Sequence, residues 1–154
     1  MNKLWMTALV LGLVPLVAIG GESGGLTVAD AWVRALPPTQ TNTAAYLVLG
    51  NTGGETIEVT GASAAIAQSV EFHTTREIDG YMRMEQLPGL SLAPGETVSL
   101  TPGGTHLMLL DLSRMPAPGE SVRVCLRTAV GDETCTEAPV RKSGGVQPSH
   151  EHHH

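Results

Sequence analysis

The sequence predicts an all-β domain, either a β-sandwich or a Greek-key barrel of about eight or nine short strands. Short segments rich in Val, Leu and Ile recur along the chain, and turn-forming residues separate them, with 18 Gly and 10 Pro among 154 residues. No segment after the N-terminal leader shows a long helical period. A chain of this length corresponds to one domain, which can bury a sizeable core without disulfide staples.

Nine segments have strand character, and turn-forming residues that break a strand separate them. In chain order they are Leu26–Leu36, Ala44–Gly50, Glu55–Ala62, Val70–Thr75, Tyr81–Leu87, Glu96–Leu100, His106–Leu112, Ser121–Thr128 and Glu133–Val140. The main breakers are Asn51–Gly54, Asp79-Gly80, Pro88-Gly89, Pro94-Gly95, Pro102–Gly104 and Pro118-Gly119. The segment Ala62–Gln68 is the one place where a single helical turn is expected.

The N-terminus has the pattern of a secretory signal peptide. A weakly basic start, Met1–Lys3, precedes an apolar run from Leu4 to Ile19, and small residues follow. This pattern predicts a signal peptide over residues 1–20, cleavage near Gly20 and a periplasmic protein. The rival interpretation is a single uncleaved membrane anchor, although the apolar run is slightly short for a span. No Cys lies at the cleavage site, so a lipoprotein is not expected.

Residues 21–142 form the predicted domain, and residues 143–154 form a tail that we expect to be disordered. The tail carries four histidines, His150, His152, His153 and His154. Such tracts bind divalent metals such as Cu(II) loosely. The tail is either a native metal-capturing segment or the remains of an affinity tag.

The net charge of −6 and the absence of a basic cluster argue against nucleic acid and anionic membranes as partners. A membrane would be contacted only through an uncleaved signal peptide. The two cysteines, Cys125 and Cys135, flank the turn signal Val130–Asp132. In an exported protein such a pair predicts a disulfide across a hairpin, and two buried thiols are the alternative.

The soft metal-binding side chains are concentrated in two segments. Outside the leader and the tail the only histidines are His73 and His106. Of the four methionines in the same region, Met82, Met84 and Met108 accompany them, whereas Met115 lies elsewhere and is interpreted as packing. Thioethers are soft donors and imidazole suits copper, so these residues together form a ligand set for Cu(I).

The spacing of these residues places them on common faces. Asp79-Gly80 is a two-residue hairpin signal. That loop pairs Glu77 with Met82, Thr75 with Met84 and His73 with Gln86. His73 and Met84 are then diagonal neighbours about 7–8 Å apart. His106 and Met108 share a face of the later strand, about 6.6 Å apart. Whether the two segments meet in space is not determined by their spacing.

Taken singly, each residue has a structural interpretation, because a Met in a strand is usually core and a His is usually hydrogen-bonded. The matched arrangement of His and Met in both segments favours a metal site. Met82 remains open, as a core residue or a spare thioether.

At the level of motifs, His73-(x10)-Met84-(x21)-His106-x-Met108 resembles the copper-binding signature of the periplasmic copper chaperones of the PCuAC type. Other stretches are similar to that family as well, and the match extends over Leu26 to Val140. They are Asp30–Ala35, Ala44–Tyr46 with Asn51, Val70–His73, Asp79–Met84 and Pro102–Leu109.

The resemblance implies a cupredoxin-like β-barrel without a blue-copper site, and a carrier rather than an enzyme. It implies that His73, Met84, His106 and Met108 bind Cu(I). The expected partners are the copper-bearing subunit of cytochrome c oxidase and a thioredoxin-like copper assembly protein. His-rich tails in this family are associated with a second, Cu(II) site. The pair Cys125 and Cys135 lies outside the signature.

Elementary chemistry agrees with this expectation. Methionine does not form disulfides, so thioether ligands survive in an oxidising compartment where thiolates are lost. A neutral His₂Met₂ set favours Cu(I) over Cu(II) and Zn(II). An electron-transfer cupredoxin is disfavoured, since neither Cys has the neighbouring His and Met that such a site needs. The alternatives that remain are a copper-buffering or tolerance protein and a β-sandwich interaction module without metal.

Overall fold

The computed structural model describes residues 25–142, and these form ten β-strands and no helix. The strands are β1 (Leu26–Arg34), β2 (Thr43–Asn51), β3 (Ile57–Ala64), β4 (Ser69–Ile78), β5 (Tyr81–Leu87), β6 (Leu90–Leu92), β7 (Thr97–Leu100), β8 (His106–Leu110), β9 (Ser121–Thr128) and β10 (Glu133–Arg141). Within this part of the chain there is no helix capable of crossing a membrane. The predicted signal peptide and the histidine tail lie outside the described residues.

The nine predicted strands are all present, and two local details differ from expectation. A tenth strand, β6, spans only three residues between two Pro-Gly turns, which is too short for a periodic pattern to predict. The segment Ala62–Gln68 forms no helical turn. Strand β3 instead continues to Ala64, and a tight turn follows in which the Ala67 N–H donates to the Ala64 carbonyl at 3.0 Å.

Seven of the strands close into a barrel. They follow one another in the order β4-β8-β2-β1-β10-β9-β3, and the pairing of β3 with β4 at Ala62 and Val70 completes the ring. All of these pairings are antiparallel except that of β1 with β10. The remaining strands attach to this ring, with β5 on β4, β6 on β3 and β7 on β2. Non-consecutive neighbours of this kind define the predicted Greek-key barrel.

The core lies inside the ring, and along most strands its residues alternate with residues of the outer face. Its most deeply buried aliphatic side chains are Leu47, Leu49, Leu92, Leu107, Leu109, Leu126, Val33, Val59 and Val124. The intervening residues of each strand project outward. Residues that alternate with this core therefore share the outer face of the barrel wall.

The hairpin between β4 and β5 has the predicted register. Asp79 and Gly80 have φ values of 52° and 78°, as the tight two-residue loop of a right-twisted hairpin requires. Opposite this loop, Glu77 pairs with Met82, Thr75 with Met84 and His73 with Gln86. Because β5 pairs only with β4, its side chains are exposed on both faces.

A disulfide joins Cys125 on β9 to Cys135 on β10, where the two residues are directly opposed. The bond lies across the β9–β10 hairpin, as the spacing of the two residues predicts. Cys125 lies between the core residues Val124 and Leu126 on its strand, so the disulfide is on the outer face of the barrel.

Candidate metal centre

The predicted ligands lie on three adjacent strands of one wall: Met84 on β5, His73 on β4, and His106 with Met108 on β8. The spacing of the motif does not determine whether its two halves are neighbours. The pairing of β4 with β8 shows that they are. In it His73 and His106 are directly opposed, and their ring centroids lie 6.2 Å apart. The two halves of the motif therefore meet in space.

The core determines which face these residues occupy. Phe72 precedes His73 and is buried inside the barrel, and Leu107 separates His106 from Met108 with its side chain fully buried. Alternation then directs all the candidate ligands to the outer face. His106 is nevertheless only 5% exposed, because neighbouring side chains on that face cover it.

The two thioethers flank His73 from opposite ends. Met108 opposes Glu71, two residues before His73, whereas Met84 opposes Thr75, two residues after it. Met108 is partly buried against Ala44 and two aromatic rings, while Met84 is 55% exposed. One sulfur is thus held by packing, whereas the other is exposed on an edge strand.

Hydrogen bonds engage one nitrogen of each imidazole. In His106, Nδ1 lies 2.9 Å from the Gly104 carbonyl oxygen, so Nδ1 carries the proton and Nε2 keeps its lone pair. In His73, Nε2 lies 2.8 Å from Glu71 Oε2, and Nδ1 is buried without a hydrogen-bond partner. A buried unpaired nitrogen is costly unless something binds it, so this atom marks a place for a ligand.

Glu71 is a site residue that the motif does not include. Alternation could have identified it, because Glu71 and His73 are two residues apart on a strand and therefore share a face. A carboxylate that accepts from one imidazole nitrogen fixes the tautomer and leaves the other nitrogen to bind metal. Glu71 thus orients His73 as the Gly104 carbonyl orients His106.

An aromatic wall closes the side of the site next to β8. The Tyr46 ring lies 6.3 Å from that of His106, and Trp32 lies 4.5 Å from Tyr46. Burial raises the pKa of the Tyr46 hydroxyl, and the positive charge of Arg34 offsets part of this rise. A bulge in β1, where Asp30 has a φ of 51°, shifts the register so that Trp32 opposes Tyr46.

Two arginines stack on this wall, and neither was expected to lie near the site. The guanidinium carbon of Arg34 lies 5.2 Å from the centroid of the Tyr46 ring. That of Arg141 lies 5.5 Å from the centroid of Trp32. Both residues follow apolar core positions on their strands, so they continue the outer face that carries the candidate ligands.

The secondary candidates lie apart from the His pair. Met82 opposes Glu77 and is 64% exposed, so it is neither core nor in contact with His73. Met115 packs against the core. Glu133 Oε1 lies 3.7 Å from the Cys135 sulfur. Since the disulfide consumes both sulfurs, the pair offers no thiolate ligand. The histidines of the tail are outside the described residues.

The donor set fits a soft monovalent ion. It offers two neutral nitrogens with free lone pairs and, on the same face, two thioethers, and this combination suits Cu(I) better than it suits hard or divalent ions. The nearest carboxylate, Glu71, is already bonded to an imidazole. The four candidate ligands of a bound metal ion would therefore carry no net negative charge.

Comparisons with known proteins agree with this description. The model of a family described as "Putative lipoprotein LpqE-like" matches residues 26–140. "Putative lipoprotein Lxx21020" of Leifsonia xyli subsp. xyli is 32% identical over 132 residues, which cover 85% of this chain and 78% of the relative.

Among solved structures, the Cu(I) form of DR1885 from Deinococcus radiodurans is 33% identical, with a TM-score of 0.62, over 80% of this chain and 83% of that one. The copper-bound PCuAC domain from PmoF2 has a TM-score of 0.66 over 79% of this chain and 97% of that domain. Its identity of 24% makes it a likeness of fold alone. The predicted fold class, an all-β cupredoxin-like barrel, is confirmed.

Proposed function

We propose a copper-carrying function for this chain, which belongs to the LpqE-like family. The observation that carries the proposal is the opposed pair His73 and His106. One nitrogen of each ring contacts a protein oxygen, the Glu71 carboxylate for His73 and the Gly104 carbonyl for His106. The other nitrogen, Nδ1 of His73 and Nε2 of His106, is left for a ligand. Two thioethers flank the pair on the same face. The Cu(I) form of DR1885, which is 33% identical to this chain, supports the same cargo.

In this proposal His73 binds Cu(I) through Nδ1 and His106 through Nε2, while Met84 and Met108 supply sulfur. The protein is an exported, periplasmic carrier rather than an enzyme. It delivers copper to the copper-bearing subunit of cytochrome c oxidase, together with a thioredoxin-like assembly protein. The tail histidines, His150 and His152 to His154, add a separate and weaker Cu(II) site.

The unequal burial of the two thioethers supports delivery rather than storage. Met108 is packed against the aromatic wall, whereas Met84 is exposed on a strand that pairs along one edge only. A partner's ligand can replace Met84 first while the other three donors still hold the ion. Transfer should therefore proceed by associative exchange, with a rate that rises with acceptor concentration. A rate that is independent of the acceptor would refute associative exchange. Failure of the loaded protein to metallate an oxidase copper site would instead indicate a copper-buffering protein.

The experiment that tests the cargo is copper stoichiometry and X-ray absorption on the wild type, Met108→Ala and a chain truncated after Lys142. We expect one Cu(I) in a mixed nitrogen and sulfur environment. Met108→Ala should lose one Cu–S contribution, and the truncated chain should keep the Cu(I) site while losing any additional Cu(II). A protein that binds no Cu(I), or binds it through nitrogen and oxygen alone, would refute the proposal.

A further inference from the structure

Arg34 and Arg141 place two positive charges side by side. They are partners in the parallel ladder between β1 and β10. Val33 and Val140, which precede them, are buried in the core, so both arginine side chains project from the outer face. Like charges directly opposed in a sheet are destabilising, so this register has an energetic cost.

No carboxylate of the described residues offsets that cost. Within residues 25–142, neither Arg34 nor Arg141 forms an ion pair, whereas Arg76, Arg114 and Arg123 each lie against a glutamate at 3.5, 2.8 and 3.7 Å. The two guanidinium groups instead stack on Tyr46 and Trp32. Stacking holds a guanidinium in place through its face and leaves the N–H donors at its edge available.

The arginine pair is continuous with the candidate metal centre. Trp32 and Tyr46, on which the arginines stack, form one cluster with Ala44 and Met108. Continuing the pairing of Val33 with Ala45 places Arg34 beside Ala44, and Ala44 is the partner of Met108. A small residue is therefore all that separates the arginine pair from a candidate copper ligand along this row of the sheet.

We propose that Arg34 and Arg141 form a docking surface for an acidic protein that receives the copper. This inference rests on the proposed function and names the kind of partner it requires. Each guanidinium presents donors that match a carboxylate. The pair is a local positive surface on a chain of net charge −6, so it would orient an acidic partner toward the metal centre rather than attract it everywhere.

The test uses Cu(I)-loaded protein and two synthetic peptides that share one Met-containing copper-binding segment. In one peptide Asp and Glu flank that segment, and in the other Asn and Gln replace them. At low ionic strength we expect transfer to the acidic peptide to be about tenfold faster. The preference should decline as salt screens the charges. Arg34→Gln with Arg141→Gln should remove it.

The matched control is Arg123→Gln with Arg127→Gln on β9, which changes the net charge equally on another part of the barrel. This control should keep the preference. Equal loss in both double variants would reduce the effect to net charge and overturn the proposal, as would a preference that survives Arg34→Gln with Arg141→Gln. Binding to phosphatidylglycerol vesicles that depends on the two arginines, without any peptide preference, would also overturn it.

Failure of the proposed function is distinguishable from failure of this inference. Cu(I) affinity is measured for every variant before transfer is compared. If the wild type binds no Cu(I), docking can still be followed by NMR, using the metal-free protein and an acidic peptide that lacks Met. Shifts at Arg34, Arg141 and Trp32 Nε1 that are absent with the neutral peptide would support the docking surface, and their absence would refute it.

Discussion

His73 and His106 are directly opposed residues on β4 and β8, with ring centroids 6.2 Å apart. Each ring is tied on one side to the protein, His73 to the Glu71 carboxylate and His106 to the Gly104 carbonyl. The distance leaves room for an ion between the rings, and the hydrogen bonds fix which nitrogens can face it. The ladder of the barrel thus brings the two candidate ligands together, and the Gly104 carbonyl, in the loop before β8, orients one of them.

Replacing either histidine should abolish tight Cu(I) binding. We expect His73→Ala and His106→Ala to weaken affinity by more than the roughly 10–100-fold that loss of an orienting partner costs. Gln86→Ala is the matched control, because Gln86 opposes His73 from β5 and is exposed. Affinity is measured by competition with a chromogenic Cu(I) chelator. Equal losses in all three variants would show that the general structure of β4, β5 and β8, rather than the imidazoles, determines affinity.

Glu71 should influence which nitrogen of His73 binds the metal. Glu71→Ala removes the acceptor at His73 Nε2, and we expect Cu(I) affinity to fall by about 10–100-fold. Glu71→Gln retains an oxygen acceptor and should lose less. Nitrogen-15 NMR of the ring reports the tautomer directly, and in the wild type it should show metal bound at Nδ1. Binding at Nε2 in the wild type would mean that the carboxylate contact is broken on loading.

The two exposed methionines of β5 should behave differently. Met84 is a diagonal neighbour of His73, whereas Met82 opposes Glu77, one step farther along the same face. Met84→Ala should therefore weaken Cu(I) binding and remove one sulfur from the X-ray absorption spectrum. Met82→Ala should leave both measurements unchanged and serves as its control. Loss of a sulfur contribution in Met82→Ala would make Met82 a ligand.

The disulfide should matter for stability and not for the cargo. Replacing both cysteines, Cys125→Ser with Cys135→Ser, should lower the free energy of unfolding by about 2–3 kcal/mol. The unfolded chain then gains the conformational entropy that the disulfide loop had removed. Urea denaturation measures this change. Copper affinity should be retained, since β3 on one side, and β10, β1 and β2 on the other, separate β9 from the strands that carry the candidate ligands. A parallel loss of affinity would connect the disulfide to the metal centre.

Local sequence signals were sufficient for one half of the site. Asp79-Gly80 determines a tight loop, and its register then fixes the relation of His73 to Met84. The pairing of β4 with β8 is long-range, and nothing in the spacing of His73 and His106 requires it. The Greek-key closure that brings them together is a property of the whole barrel, because it depends on which strands bury their apolar faces against one another.

The residues around the site were harder to predict than the ligands. Glu71 shares a face with His73 by simple alternation, yet the carboxylate contact depends on its rotamer. Arg34 and Arg141 lie far apart in sequence and become neighbours only through the parallel pairing of β1 and β10. The short strand β6 has too few residues for a period to be visible. These features arise from tertiary packing rather than from local pattern.

Leu107 lies between His106 and Met108 with its side chain fully buried. One short strand therefore contributes to the hydrophobic core through Leu107 and to the candidate metal centre through His106 and Met108. An ion held by His106 and Met108 would oppose local opening of β8. It would raise the free energy of unfolding by about 2.7 kcal/mol when the free ion concentration is a hundred times the dissociation constant. Delivery would then leave a carrier that opens more often and is cut sooner by proteases. The lifetime of the empty protein would be shorter than that of the loaded one, so turnover would follow copper supply.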